Sequence, residues 1–178
     1  MRRPRHERDI AASWRCGSAI LMVVHLRALS PDEWEWWREV RLRALADTPE
    51  AFGSTLAEWQ AATEDRWRLR LSEVPFNVVA VVDAVTVGQV SGTHPDVDGH
   101  VELISLWVAP SARGLGVGDA LVTAVIDEAH RAGARLVKLS VRRSNASAIA
   151  LYERAGFEHK DRPGGGRDEL TMQRRLPP

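Results

Sequence analysis

The chain has 178 residues, 44% of them hydrophobic and 27% charged, which is enough for one domain with a sizeable core and too few for two of ordinary size. Lysine plus arginine and aspartate plus glutamate both number 24, so a net charge of zero gives no electrostatic case for nucleic acid or an anionic membrane as partner. Cys16 is the only cysteine, which excludes an intrachain disulfide and the paired Cys and His spacings of a structural zinc site, and fits a reducing cytoplasm.

Residues 1–21 differ in character from the rest of the chain. A basic start leading into AILMVV resembles a signal peptide, but the apolar run is shorter than an h-region, and Glu7 and Asp9 interrupt the basic segment. The stretch is expected to be a flexible leader, or translation from a start upstream of the true one at Met22, so that the domain occupies residues 22–178. No run of about 20 apolar residues, the length a spanning helix needs, occurs in the sequence. Lys138 and Lys160 are the only lysines. The excess of arginine is assigned to coding from a GC-rich genome and carries no functional weight.

From Val23 the pattern is regular. VVHLRAL predicts a strand, and Ser30 to Glu33 then supplies a helix start, with Ser as N-cap, Pro at the first helical position and Glu33 placed for a capping box. That helix is expected to run to about Ala46, where DTPE stops it. A second helix is expected from Thr55 or Thr63 to Leu71, with Trp59 and Trp67 among its apolar residues. FNVVAVVD and TVGQVSGTH are β-branched runs that predict a hairpin around Asp83 to Thr86. His100 to Val108 is a further strand, reached through the turn residues DVDG. The helix Gly116 to Ala132 comes next, with Leu121, Val122, Val125, Ile126 and Ala129 on one stripe and Gly133 as its stop. LVKLSV predicts a strand, Asn145 to Ala155 a helix closed by Gly156, and GFEHK and ELTMQRR two short strands around PGGG. The order βααβββαβαββ argues for a mixed α/β sheet, with about seven strands and about four flanking helices.

The stretch Trp107 to Val122, WVAPSARGLGVGDALV, breaks a strand with alternating glycines and opens a helix. Such a loop leaves backbone N–H groups without partners at a helix start, where the macrodipole favours an anion. A P-loop would need GxxxxGK[ST], but Asp119 follows Gly118 and no lysine is near. A dinucleotide fingerprint would need glycine where Asp119 or Leu121 stands, and Arg142 rather than an acidic residue follows the next strand. A glycine-rich turn without a ligand is the remaining alternative.

Arg113 to Gly118, RGLGVG, resembles the Q/R-x-x-G-x-G/A signature of the GNAT family, the GCN5-related N-acetyltransferases. A second stretch, NASAIALYERAGF from Asn145 to Phe157, resembles the family's N-x-x-A-x-x-x-Y-x-x-x-G-F segment, matching at Asn145, Ala148, Tyr152, Gly156 and Phe157. RLRALADTPEAFGSTLAE is similar to the first helix and following loop of many bacterial members. The resemblance implies the GNAT fold, with strands splayed at the acyl-CoA site, and transfer of an acetyl group from acetyl-CoA, the acyl-donor substrate, to an amine without a metal. It implies that Arg113, Gly114, Leu115, Gly116, Val117 and Gly118 hold the pyrophosphate. The backbone of Leu106, Trp107 and Val108 is expected to bond the pantetheine arm like an added strand.

Tyr152 is the chain's only tyrosine and stands seven residues after Asn145, on the same helix face, so both are expected to point at the cofactor arm. The resemblance makes Tyr152 the acid that protonates the departing thiolate; the alternative is a tyrosine packing the helix on the sheet. Glu102 stands where some members carry a glutamate as general base, and desolvation on a central strand moves a carboxylate toward that task. Alternation puts Glu102, Ile104 and Leu106 on one face, so a solvent-facing strand residue is the other reading. His94, His100, His130 and His159 show no ligand spacing. Trp34, Trp36 and Trp37 cannot all face the core, which leaves at least one for the acceptor cleft or a homodimer contact. Phe52 to Ser54 and Pro163 to Gly166 occupy the two places that border the acceptor site in the family. The acceptor is expected to be a small-molecule or peptide amine; a catalytically silent acyl-CoA binding domain is the rival reading, and it would not need Tyr152.

Overall fold

Helix starts follow the side chains available to cap them. The computed structural model describes residues 10–14, 22–160 and 168–177. Ser30 donates its backbone N–H to Glu33 Oε2 at 2.9 Å, and a short 3₁₀ turn at Pro31–Glu33 leads into α1, Trp34–Asp47. The expected second helix is two: α2, Leu56–Gln60, capped by Thr55, and α3, Glu64–Glu73, capped by Thr63. Each threonine hydroxyl accepts the N–H three residues on, from Glu58 at 3.3 Å and from Arg66 at 3.4 Å, so two caps give two helices. Trp59 and Trp67 meet across the break with ring centroids 4.4 Å apart.

The strands are β1 (Ile10–Trp14), β2 (Met22–Ala28), β3 (Phe76–Val82), β4 (Val85–Gly92), β5 (His100–Val108), β6 (Leu136–Arg142), β7 (Glu158–Lys160) and β8 (Glu169–Arg175). They form one sheet in the order β1-β2-β3-β4-β5-β6-β8-β7, antiparallel throughout except for β5 and β6. The β3–β4 hairpin turns on Asp83 and Ala84, both at positive φ (48° and 63°), the geometry that matches the twist of its strands.

The expectation of a leader outside the fold is corrected in part. Ile10–Trp14 pairs antiparallel with β2, from Ile10 opposite Leu26 to Trp14 opposite Met22. The outer edge of β2 offers an open ladder, and IAASW contains no proline to interrupt it. The described sheet thus has eight strands rather than about seven. Residues 1–9 and 15–21, and the PGGG turn at 163–166, lie outside the described residues.

The last two helices are α4, Val117–Arg131, and α5, Ala146–Arg154. Helix α4 lies on one face of the sheet, where Gly88 and Gly92 leave room for it: a Cβ there would stand 2.9 Å from Leu121 Cδ1 and 3.0 Å from Val125 Cγ1 respectively. Its expected stripe, Leu121, Val122, Val125, Ile126 and Ala129, is buried throughout. Side chains alternate along β3 and β4, so Asn77 and Ser91 face the other way, where Arg70 of α3 meets them. Helices α1 and α3 cover that second face. Strands β5 and β6 pair only from His100 opposite Leu136 to Glu102 opposite Lys138, and the ladder stops there. Beyond Glu102 the centre of the sheet is open.

Candidate active site

Two devices shape the open half of β5. One is a bulge: Ser91 stands opposite Ile104, but Gln89 stands opposite Trp107, so β5 has one residue more than β4 across that interval. Ser105 carries the distortion at φ 60°, a left-handed conformation that a non-glycine residue adopts only when the surroundings demand it. The other is the direction of the backbone groups. Ala109 N–H donates to Val87 O at 2.8 Å, which fixes that pair as the hydrogen-bonded kind; Trp107, two residues back, also turns its backbone toward β4. Leu106 and Val108 therefore direct theirs into the opening.

The bulge corrects two sequence expectations. Trp107, not Leu106, continues the face of Glu102 and Ile104, because the extra residue shifts the alternation by one. Trp107 is also not an open backbone position for an added strand. It is 5% exposed, and its indole donates to Asp47 Oδ2 at 2.9 Å, tying β5 to the end of α1.

The loop after β5 runs through a short 3₁₀ turn at Pro110–Ala112 into α4. Gly114 and Gly116 both have positive φ, 75° and 80°, and Gly116 is the N-cap of α4. Among the described residues, no acceptor takes the N–H groups of Gly114 through Asp119; the first bond of the new helix is Ala120 N–H to Gly116 O. These donors lie at the positive end of a helix of 15 residues. Gly118 serves a different purpose. A Cβ there would stand 3.0 Å from Leu151 Cδ2, so its smallness seats α5 against α4. Asp119, acidic at this helix start, is held by Arg154 at 3.3 Å.

Arg113 does not stand free beside the loop. Its Nη2 meets Asp47 Oδ2 at 2.5 Å, and its Nε donates to Val108 O at 3.0 Å. The second bond occupies one of the groups that Val108 turns toward the opening, which leaves its N–H and both groups of Leu106. Asp47, which the sequence offers only as part of a helix stop, thus ties Trp107 and Arg113 together.

Asn145 is the N-cap of α5 rather than part of its face: Oδ1 accepts from Ala148 N–H and from Ser147 Oγ, each at 3.1 Å. The helix begins one residue later, so spacing along a face does not govern where Asn145 points; its amide N–H groups meet no acceptor among the described residues. Tyr152 is 6% exposed, and its ring meets Phe157 edge-on with centroids 5.8 Å apart. Burial pushes its phenol well above the usual tyrosine value. Its hydroxyl has no hydrogen-bond partner among the described residues. Glu102 is half-buried on β5, at the last position where β5 and β6 pair, with its backbone N–H on Thr93 Oγ1 at 2.9 Å.

Sequence reasoning missed the polar cluster on the face shared with α1 and α3. Arg41 is 7% exposed; its Nη2 donates to Ser54 Oγ at 3.1 Å, its guanidinium lies 4.4 Å from the Phe52 ring centre, and its Nη1 is buried with no partner. Arg70 Nη2 lies 3.3 Å from Ser91 Oγ and 3.5 Å from Ser105 Oγ at the bulge. Gln89 donates Nε2 to Ser105 O at 3.3 Å, while its buried Oε1 has no partner. Neither guanidinium forms an ion pair among the described residues. Burial and then Arg70 push Arg41 down to about 10, and burial pushes Arg70 down to about 10 against a partial offset from Glu73. Both remain cations at neutral pH. The signal was present in the sequence: Arg41 interrupts the stripe Trp37, Val40, Ala44, Leu45, and Arg70 the stripe Trp67, Leu71.

Of the clustered tryptophans, Trp37 is buried and Trp36 donates to Thr86 Oγ1 at 2.7 Å beneath the Arg27 guanidinium. His100 does join a group with Asp96 and Asp98 whose ligand-type atoms lie within 4.8 Å of one another. Asp96 is already engaged there by the N–H groups of Asp98 and His100 and by Lys138 Nζ. No helix among the described residues is long and apolar enough to cross a membrane.

Residues 28–157 match the Acetyltransferase (GNAT) family. A mycothiol acetyltransferase of Renibacterium salmoninarum is 30% identical over 148 residues, 78% of this chain and 41% of that protein. One of Thermomonospora curvata is 34% identical over 141 residues, 75% of this chain and 44% of its own length. The chain thus spans less than half the length of these curated relatives. An acetyltransferase of the GNAT family from Streptococcus pneumoniae superposes with a TM-score of 0.73 at 17% identity, covering 86% of this chain and 99% of its own. An N-acetyltransferase from Thermoplasma acidophilum, solved with coenzyme A, gives 0.65 at 18%, covering 86% and 99%. With the family matched across most of the described sheet and the fold shared with its solved members, the chain belongs to the acetyltransferase (GNAT) family, an acetyl-CoA-dependent group of enzymes.

Proposed function

We propose that the chain is a cytoplasmic N-acetyltransferase that moves an acetyl group from acetyl-CoA to a primary amine by direct attack while both substrates are bound. The observation that carries this reading is the row of unpartnered N–H groups from Gly114 to Asp119 at the head of α4, beside the opening between β5 and β6. A pyrophosphate fits there as an anion on a helix N-terminus. The pantetheine arm fits the opening, where Leu106 and Val108 offer backbone groups as a neighbouring strand would. Gly114 and Gly116 supply the backbone shape, Leu115 and Val117 N–H donors, and Gly118 the helix contact that holds the loop in place. Arg113 fixes the loop to α1 through Asp47, and Asn145 caps α5 while offering its amide hydrogens.

The chemistry asks little of side chains. The amine nitrogen attacks the thioester carbonyl, the C–S bond breaks, and the amide and coenzyme A thiol leave. An amine of ordinary pKa about 10.4 is mostly protonated at neutral pH, and Glu102 takes that proton directly or through water. Tyr152 faces the sulfur as it gathers charge. Because burial makes its phenol a weaker acid, its main contribution is a hydrogen bond to the thiolate, with the proton following as the tetrahedral species collapses.

The test is release of free thiol from acetyl-CoA over a panel of amines, with mycothiol acetylation, the activity in the relatives' name, as one arm. Amine-dependent thiol release supports transfer. Tight acetyl-CoA binding without release for any amine would favour the silent acyl-CoA binding domain instead.

A further inference from the structure

The fold places the buried guanidinium of Arg41 and the half-buried one of Arg70 on the face of β5 shared with α1 and α3, near enough that the charge of Arg70 disfavours that of Arg41; neither forms an ion pair among the described residues, and Glu73 offsets only in part the burial of Arg70. For Arg41 such an arrangement is costly for folding alone, because a buried charge is normally paired. The hydrogen bonds these groups make are to neutral oxygens: Ser54 for Arg41, and Asn77 Oδ1 at 3.4 Å, Ser91 and Ser105 for Arg70. Arg41 Nη1 has none. We propose that Arg41 and Arg70 together recognise an oxyanion carried by the acceptor, a carboxylate or a phosphate, so that the substrate is a compact anionic amine.

Geometry links this cluster to the reaction. Ser105, within reach of Arg70, is the bulge residue at φ 60° where β5 has parted from β6, next to Leu106 and the acyl slot. An anion on Arg70 holds an amine a few bonds away over that slot. The cover over Arg41 is the segment Phe52–Ser54, whose ring and hydroxyl are its two contacts there; nothing lies within 4 Å of a Cβ built on Gly53, so the segment has free space beside it. Lifting it exchanges the Ser54 hydroxyl for the ligand oxygen, and two guanidinium forks then meet one anion.

This inference rests on the acetyl-transfer reading, and the experiment separates the two. Thiol release and calorimetry on protein saturated with coenzyme A are measured for matched pairs: α-amino acids against their carboxamides, and phosphoethanolamine against ethanolamine. The anionic member of one pair is expected to win by about 10- to 100-fold in kcat/KM or affinity, the scale of a charge-assisted contact. The pair that shows this identifies carboxylate or phosphate. Arg70→Gln and Arg41→Met should erase the preference by raising KM for the anionic member alone, and Arg41→Lys should restore part of it. The Tm of Arg41→Met should hold or rise, since the variant removes an uncompensated buried charge. Equal treatment of both members of every pair, or no binding of any anionic member, overturns the proposal. So does a variant that lowers Tm and both members alike. Turnover of neutral amines without an anionic preference leaves acetyl transfer standing; no turnover with any amine and no acetyl-CoA binding removes both.

Discussion

The two sides of β5 differ in how they are built. On the proposed coenzyme side, Gly114 to Asp119 offer main-chain N–H groups, so the sequence need only supply glycines and a helix start. On the proposed acceptor side, Arg41, Arg70, Gln89, Ser91 and Ser105 come from four elements, α1, α3, β4 and β5, and meet only in the folded sheet. Backbone recognition leaves a short contiguous motif, whereas side-chain recognition scatters its residues. A donor shared across a family suits the first device and an acceptor particular to each member suits the second.

If the coenzyme side carries the leaving-group chemistry, the largest loss should come from Tyr152→Phe, which keeps the buried ring and deletes its hydroxyl. The expected fall in kcat is roughly 10- to 10⁴-fold with little change in acetyl-CoA affinity, read from steady-state rates on an accepted amine. Its raised pKa sets the pH profile: protonation of the phenol is retained above the usual tyrosine value, so wild-type kcat should show no alkaline fall from Tyr152 below pH about 10. A descending limb that disappears in Tyr152→Phe at lower pH would contradict this.

Glu102→Gln should give the next effect, a loss of roughly 10- to 100-fold near neutral pH that shrinks as pH rises and the acceptor loses its own proton. A loss constant with pH would move Glu102 from proton transfer to acceptor binding or to structure.

Smaller effects sharpen the boundary between the loop's two kinds of glycine. Gly118→Ala should cost about 1 kcal/mol of stability, because overpacking against Leu151 outweighs the gain in helix propensity, while acetyl-CoA affinity is unchanged. A tenfold loss of affinity would place Gly118 against the ligand after all. Deleting residues 1–21 should leave that affinity unaltered, since β1 is at the sheet edge and four strands separate it from the opening at β5 and β6. Weaker binding by the truncated chain would tie the edge strand to the site.

Legibility in the sequence divides along the same line. The strand His100–Val108 and the stripe of α4 are periodic, and local pattern suffices for them. The positive φ of Gly114, Gly116 and Gly156 follows from where glycines fall beside helices. The bulge at Ser105 has no local signature, since a serine there is compatible with a regular strand, and without it Trp107 and Leu106 are assigned to the wrong faces. Arg113 reads as a phosphate contact until Asp47, 66 residues away, takes it. Arg41 and Arg70 look like surface residues in a chain rich in arginine, and only the apolar stripes they interrupt mark the first as buried and the second as half-buried. Residues 10–14 pair with β2 because that edge is open, a fact of topology that the leader's own composition does not display.

The central claim is that the main-chain donors at the head of α4 hold the donor's pyrophosphate. Titration of acetyl-CoA into wild type and Gly116→Glu by calorimetry tests it most directly, with Gly116→Ala as the control that shares the strain at φ 80° without the charge. The account predicts saturable binding to wild type, weaker but measurable binding to Gly116→Ala, and none to Gly116→Glu that retains the wild-type far-UV spectrum and cooperative unfolding. Undiminished binding by a folded Gly116→Glu protein would contradict it.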